Sequence, residues 1–184
     1  MPKVCLIVAS LLAWATTAAA VEPNDSELRS EGLGVAKQFV ATLQPELKAA
    51  MQGGGPVHAI RVCSDKAPAI AAELSASSGW TVKRVSLKPR NARSASPDAW
   101  ERSQLQAFDR AAASGELPEP VSGWVDGRFR LMQAQPVQSI CLTCHGTAIA
   151  PAVEQALETY YPGDTATGYG PGQVRGAISL TRRQ

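Results

Sequence analysis

The segment VSGWVDGRFRLMQAQPV, residues 121–137, decides which fold this chain adopts. Two runs within it, 121–126 and 128–137, are rich in the β-branched and aromatic residues that favour strands. The runs meet at Asp126-Gly127, and an Asp-Gly pair between two such runs is a strong signal of a tight hairpin turn. The segment therefore predicts two neighbouring antiparallel strands.

The sequence on either side of this hairpin predicts two more strands and four helices. The period of the apolar residues and the positions of glycine and proline separate the two kinds of element. The predicted strands span 80–87 and 173–180, and the predicted helices span 25–51, 65–77, 97–113 and 151–159.

The order of these elements predicts the fold class. Helices precede the strands and are inserted between them, which is typical of an α+β arrangement with an antiparallel sheet, flanking helices and a long N-terminal helix. Gly53-Gly54-Gly55-Pro56 is expected to end the first helix. Residues 57–63 are either a strand or the first turn of the next helix. We predict a single domain over residues 21–184, which is long enough to bury a substantial core.

The first 20 residues, MPKVCLIVASLLAWATTAAA, have the features of a secretory signal peptide. A short basic start at Lys3 precedes an apolar run, and the segment ends in small residues up to Ala20. We expect cleavage after Ala20 and a periplasmic or secreted protein; the alternative is an uncleaved membrane anchor. No other stretch is apolar enough to cross a bilayer, so we predict no stable membrane insertion after cleavage.

The charge of the chain excludes a class of partners. It contains 18 Lys and Arg against 16 Asp and Glu, a formal net charge of +2. This near balance, with no basic patch interleaved with aromatic residues, argues against nucleic-acid binding.

Residues 141–145, CLTCH, have the C-x-x-C-H spacing of a c-type haem attachment site. Thiols three residues apart, here Cys141 and Cys144, can form thioethers to the two vinyl groups of one porphyrin, and His145 would be the proximal iron ligand. We therefore predict one covalently attached haem c. The alternatives are a zinc site completed by Cys63 and His58, a thioredoxin-like dithiol, and a plain disulfide.

The second axial ligand must precede the motif, because no methionine follows His145. A bis-histidine haem is common and would favour His58. Cys63, however, is the thiol left over after haem attachment, and it lies beside an apolar helical face; the alternative is an inert core thiol. The candidates are His58, Cys63, Met51 and Met132.

Four segments of the chain resemble the PAS-like c-type haem domains, the Tll-like haem proteins, which occur as exported proteins and as sensor modules of bacterial receptors. The segments are AIRVCSDKAPAIA (59–71), RNARSASPDAWE (90–101), FRLMQAQPVQSICLTCHG (129–146) and YPGDTATGYGPGQVRGAISL (161–180).

The resemblance implies a fold and a ligand set. The fold is a PAS-like antiparallel sheet with flanking helices. The thioethers match Cys141 and Cys144, the proximal ligand matches His145, and an unusual distal cysteine ligand matches Cys63. The chain departs from the family pattern at Ala92, where a proline is usual.

These observations lead to a function and its alternative. An iron with both axial positions filled offers no place for a substrate, so we predict a protein of electron transfer or redox sensing rather than an enzyme. Its partner, a redox protein or a signalling protein, is unknown. The alternative is a gas- or redox-responsive sensor whose distal cysteine dissociates on reduction. Arg90, together with Arg93, is a candidate to bind the haem propionates, since a guanidinium group matches a carboxylate; the alternative is a solvated loop.

Overall fold

A computed structural model describes residues 23–183 of the chain. The predicted signal peptide, residues 1–20, lies outside the described residues. The helices are α1 Asp25–Ser77, α2 Ala92–Ala95, α3 Ala99–Ala113, α4 Leu142–His145 and α5 Pro151–Tyr160, and the strands are β1 Trp80–Val85, β2 Val121–Val125, β3 Arg128–Pro136 and β4 Val174–Arg182.

The predicted hairpin is the β2–β3 pair. Val125 pairs with Arg128, and both residues between them have positive φ, 48° at Asp126 and 73° at Gly127. Positive φ at both central positions is the geometry that an Asp-Gly hairpin turn adopts. The strand order is β1-β4-β3-β2, with every pair antiparallel. The C-terminal strand thus lies between β1 and β3.

Helices cover the two faces of this sheet with separate apolar clusters. On one face α1 packs against β1, β3 and β4, with Trp80, Phe129 and Leu180 at the centre. On the other face Leu105 and Phe108 of α3 pack on the sheet. A third cluster joins α1 to α5 through Ile60, Val153, Ala156 and Leu157 and includes the partly buried Cys144 and Tyr161.

The glycine-rich segment does not end the first helix, which corrects our sequence prediction. The chain is helical from Asp25 to Ser77, and only Gly55, with φ 70° and ψ −170°, has non-helical angles. The helix resumes at once because Pro56 stands in the first turn of the second half, where its missing N–H costs nothing. Residues 57–63 are therefore helical, and neither Ser64 nor Asp65 begins a helix.

The remaining boundaries agree closely with the sequence analysis. The loop at 88–97 contains the short helix α2, which was not predicted; Asn91 caps it by accepting a hydrogen bond from the Arg93 amide at 3.1 Å. The α+β class with a long N-terminal helix and an antiparallel sheet is confirmed.

In the part of the chain from 23 to 183, no helix combines the length and apolar character that crossing a membrane requires.

Candidate functional site

The fold brings Cys63 of α1 close to the C-x-x-C-H segment, although the two are far apart in sequence. The α1–α5 packing places Ile60, one turn before Cys63, in the cluster that Cys144 joins. Burial raises the pKa of Cys63, and the neighbouring Cys144 raises it further, while the nearby Arg84 lowers it. Cys63, Cys141 and Cys144 are all free thiols. All three are thus available to bind a group in this region.

His145 is held by a backbone carbonyl at one ring nitrogen, which leaves the other nitrogen as an acceptor. Its Nδ1 lies 2.6 Å from the backbone oxygen of Ala166. Since a carbonyl only accepts, Nδ1 carries the proton and Nε2 carries the lone pair. Burial, followed by the charges of Arg175 and Arg90, lowers the pKa of His145 to about 2. The imidazole is therefore neutral, the form in which histidine binds a metal.

The loop after α5 orients this histidine. Asp164 accepts a hydrogen bond from the Ala166 amide at 2.7 Å, which fixes the carbonyl that His145 contacts. The Tyr169 amide donates to the His145 oxygen, and the Gly168 amide donates to the Gly146 oxygen, both at 2.9 Å. This one loop, remote from α4 in sequence, is thereby fastened to it.

Arg90 lies in the site and is already engaged. Its Nε is 3.1 Å from Oδ2 of Asp164, with side chains only 12% and 8% exposed. Its Nη2 donates to the backbone oxygens of Cys144 and Ala166. Arg90 therefore fastens the loop to the C-x-x-C-H helix; its predicted contact with a propionate stays a prediction. Arg93 is exposed.

Two further arginines reach the site, and the sequence analysis missed both. Trp80, Val82 and Arg84 are every second residue of β1, so their side chains point to the same face of the sheet. Trp80 and Val82 pack on α1, and Arg84 therefore also faces the α1 side. An arginine at an inward-facing position of an alternating strand indicates a buried polar site, so Arg84 could have been found from the sequence. Arg175 is the extra residue of a β-bulge, because Gln135 pairs with Gly176 and Pro136 with Val174. In the sequence, the isolated Gly176 within the strand indicates only that a bulge can form there.

Arg175 is the side chain whose polar atoms lie nearest to the nitrogens of the His145 ring. Its Nε is 3.0 Å from Nδ1 and 3.4 Å from Nε2. Because Nδ1 already donates to Ala166, the acceptor for Arg175 is Nε2. The same guanidinium donates from Nη1 to Ser86 Oγ at 3.0 Å and to the Lys88 oxygen at 3.3 Å. Burial, followed by the charges of Arg84 and Arg90, lowers the pKa of Arg175 to about 10, although Tyr169 and Asp164 act in the opposite direction.

The other candidate ligands lie elsewhere. The His58 ring is 3.2 Å from the Arg61 guanidinium, on an exposed part of α1. Met132 is fully buried against α3, on the opposite face of the sheet from Arg84. Among residues 23–183, no group of three or more His, Cys, Asp or Glu side chains is arranged to bind a metal ion.

The donor set fits an iron porphyrin. It combines a neutral imidazole, two thiols for covalent attachment and a further thiol, Cys63, in the same buried region. A cleft of about 590 Å³ lies beside the motif, and Gly146, Ile149, Leu157, Tyr161 and Asp164 contribute to its wall. Burial, followed by the charge of Cys63, raises the pKa of Tyr161 to about 12, so this phenol stays neutral.

Comparison with known proteins identifies the relatives of this chain. The sequence matches the model of the Tll0287-like family over residues 10–182. The chain belongs to the Tll0287-like family. The crystal structure of the cyanobacterial heme-protein Tll0287 is similar, with a TM-score of 0.68 and 25% sequence identity over 88% of this chain and 98% of that one. A comparison with curated proteins gave no match.

The Tll0287-like family is the one that the four sequence segments predicted, so that prediction is confirmed. The structural likeness to Tll0287 also agrees with the predicted PAS-like sheet and its flanking helices.

Proposed function

We propose that this protein is an exported single-haem c-type protein, with His145 and Cys63 as axial iron ligands, that transfers electrons or senses redox state. One observation carries the proposal: Ile60, one turn before Cys63 on α1, lies in the cluster that Cys144 joins, so Cys63 is near enough for Cys144 to raise its pKa. The likeness to a heme-protein supports the cofactor.

Each residue has a defined task in this proposal. Cys141 and Cys144 would form the thioethers, and His145 would bind the iron through Nε2, in place of the hydrogen bond from Arg175, while Ala166 holds its Nδ1–H. Cys63 takes the other axial position as a thiolate. A bound haem supplies a one-electron ferric–ferrous couple, and the axial residues are a main influence on its potential. An anionic ligand favours the ferric state and hence a low potential.

We propose no catalytic role for the site. His145 and Cys63 together fill both axial positions, which leaves no iron position for a substrate. The protein's function then depends on a partner that delivers or removes an electron, or on one that reads its conformation.

A second candidate function is a gas- or redox-responsive sensor in which Cys63 leaves the iron on reduction. The observation that favours it is the environment of the Cys63 sulfur: within residues 23–183 no hydrogen bond from the protein reaches this atom. A thiolate that accepts no hydrogen bond is stabilised by the ferric charge and by the nearby Arg84, and the first of these contributions weakens on reduction. Carbon monoxide binding by the reduced protein is the expected sign of this behaviour.

Covalent haem attachment is tested by expression with a cytochrome c maturation system. We expect the colour to survive acid–acetone extraction. We also expect the protein band to stain for haem on a denaturing gel. We also expect the protein in the periplasmic fraction. Cys141→Ala or Cys144→Ala should impair attachment. Freely extractable haem in the wild type would contradict the c-type assignment.

The axial ligand is tested by comparing Cys63→Ala with His58→Ala, read by ferric electron paramagnetic resonance. We expect a six-coordinate, low-spin, thiolate-type signal in the wild type and in His58→Ala. Cys63→Ala should lose it and bind cyanide quickly. His58 is a matched control because it lies on the same helix, away from the motif. The reverse result would indicate bis-histidine ligation.

A further inference from the structure

We propose that Arg84 and Arg175 bind the two propionate carboxylates of the haem. The inference rests on the proposed haem-binding function and assigns two residues that the sequence analysis did not consider. It differs from the prediction for Arg90, whose charge is already paired.

The charge balance of the site is the first argument. Three guanidinium groups, those of Arg84, Arg90 and Arg175, lie close enough to affect one another. Among the described residues, Asp164 is the one carboxylate that pairs with any of them, and it pairs with Arg90. Two positive charges therefore remain uncompensated. Buried charges are costly unless they are paired, and a haem brings two carboxylates.

The surroundings of Arg175 are the second argument. Arg175 is only 8% exposed. Its guanidinium donates hydrogen bonds to Ser86 Oγ, the Lys88 oxygen and the His145 ring. All of these partners are neutral, so the guanidinium is oriented without being paired. A β-bulge supplies the direction, and bulges often re-aim a side chain next to a functional site.

The bulge changes which face of the sheet Arg175 occupies. Ala177 and Val174 both contact the α3 side, whereas Ile178 contacts the α1 side. Three positions separate Val174 from Ala177, so strict alternation would place them on opposite faces. The extra residue of the bulge shifts the alternation by one position, so Val174 and Ala177 share a face. Arg175 then lies on the α1 side, beside His145.

Arg84 reaches the same region from β1. It pairs in register with Ile178 of β4, which faces α1. It is partly buried, and its charge acts on Cys63, Tyr161 and His145. Within residues 23–183 no carboxylate forms an ion pair with it. A propionate gives the guanidinium a two-point partner of the kind that arginine prefers.

The test uses the holoprotein with Arg84→Gln, Arg175→Gln and, as a matched control, Arg110→Gln at an exposed position of α3. Two quantities are measured: the midpoint potential between about pH 5 and about pH 8, and the propionate bending band in the resonance Raman spectrum. Both readouts report on the carboxylates and need no assay of activity.

We expect both site variants to shift the propionate band and lower the midpoint potential, because a lost positive charge favours ferric iron. Their potential should also fall with rising pH, since an unpaired propionate takes up a proton on reduction. Arg110→Gln should match the wild type. If the glutamine variants do not retain haem, Arg84→Lys and Arg175→Lys replace them: they keep the charge but lose the two-point geometry, so the band shifts while the potential stays near that of the wild type.

The outcomes separate this inference from the proposed function. A wild type with covalent haem, whose site variants leave the propionate band unchanged, overturns the inference alone. A lowered potential with an unchanged band means that the arginines act on the Cys63 thiolate, and it overturns the inference as well. A wild type without covalent haem overturns both proposals.

Discussion

Asp164 acts on His145 through one intervening carbonyl. Its Oδ1 accepts from the Ala166 amide, and the Ala166 oxygen accepts from His145 Nδ1. Its Oδ2 pairs with Arg90, which also donates to the Cys144 oxygen. A single carboxylate therefore links the ligand histidine to the segment that carries the thiols. Such outer partners fix the ring orientation and the tautomer of a ligand histidine.

Asp164→Asn should destabilise the fold without removing the hydrogen bond to the Ala166 amide. Asparagine can still accept from the Ala166 amide, but it leaves Arg90 as a buried and unpaired charge. The expected loss is about 3 kcal/mol in the free energy of unfolding, measured by urea denaturation. Glu116→Gln, at an exposed position, is the control. An Asp164→Asn protein as stable as this control would show that the ion pair contributes nothing.

At the scale of the elements, α3 begins with a capping box that also contacts the sheet. Asp98 accepts from the Glu101 amide, and the Glu101 side chain accepts from the Asp98 amide, both at 2.9 Å. Arg130 of β3 donates to both carboxylates. Glu101 is fully buried and also accepts from Ser179 at 2.6 Å. The start of the helix is thereby fixed to two strands.

This cap predicts a pH dependence. Burial raises the pKa of Asp98, but the hydrogen bonds from Arg130 and the Glu101 amide outweigh burial and hold it below the ordinary value of 3.8. A depressed pKa stabilises the fold above pH 3.8, and that contribution is lost as the pH falls through the folded-state pKa.

Asp98→Asn keeps a capping oxygen and removes the charge. Because the side chain is 47% exposed, we expect a loss of only about 0.5–1 kcal/mol near neutral pH. The difference from the wild type should shrink as the pH falls below 3.8. Urea denaturation across this range measures it, and a difference independent of pH would contradict the assignment.

Gly176 makes the bulge in β4 possible. Its φ is 152°, and a Cβ there would collide with the backbone oxygen of Val85. Neither the conformation nor the space suits another residue. Gly176→Ala should therefore cost more than about 2 kcal/mol. Gly123→Ala on β2, where nothing lies within 4 Å, is the matched control. Equal melting temperatures for the two variants would mean that the bulge tolerates a side chain.

At the scale of the whole molecule, the kink in α1 separates a half that packs on the sheet from a half that also packs on α5. The first half buries Leu28, Val35 and Phe39 on the sheet. The second half contacts α5 through Ile60 and returns to the sheet at Ile70, which places Cys63 between these contacts. The direction of the second half, and hence the position of Cys63, depends on the kink at Gly55.

Gly55→Ala should destabilise the protein by about 1–2 kcal/mol, because positive φ is unfavourable for alanine. It should also alter the ferric paramagnetic resonance signal, since Cys63 would shift. Gly53→Ala is the control, at a helical position with free space, and it should stabilise the protein by about 0.5–1 kcal/mol. An unchanged signal in Gly55→Ala would show that the kink does not set the ligand position.

Local chemistry explains what could be predicted from the sequence. The hairpin follows from Asp126-Gly127, and the bounds of α3, α5 and the strands follow from local periodicity to within two or three residues. The C-x-x-C-H segment needs no long-range information, because its thiols and imidazole are neighbours in the chain. Two local predictions are wrong. The short helix α2 lies where the sequence predicts a loop. At Gly53–Pro56 a helix-ending pattern produced only a kink, since packing on both sides outweighs propensity.

The sequence by itself therefore determined the fold class, the family and the residues of the attachment motif. Only the tertiary structure decided the strand order, the neighbours of Cys63 and the three arginines around the site. The reason is physical: strand pairing, a bulge and a helix kink depend on contacts between distant residues, whereas sequence patterns report local geometry. Arg175 shows this most clearly: Gly176 indicates that a bulge can form, but only the strand pairing shows that the bulge turns the Arg175 side chain toward His145.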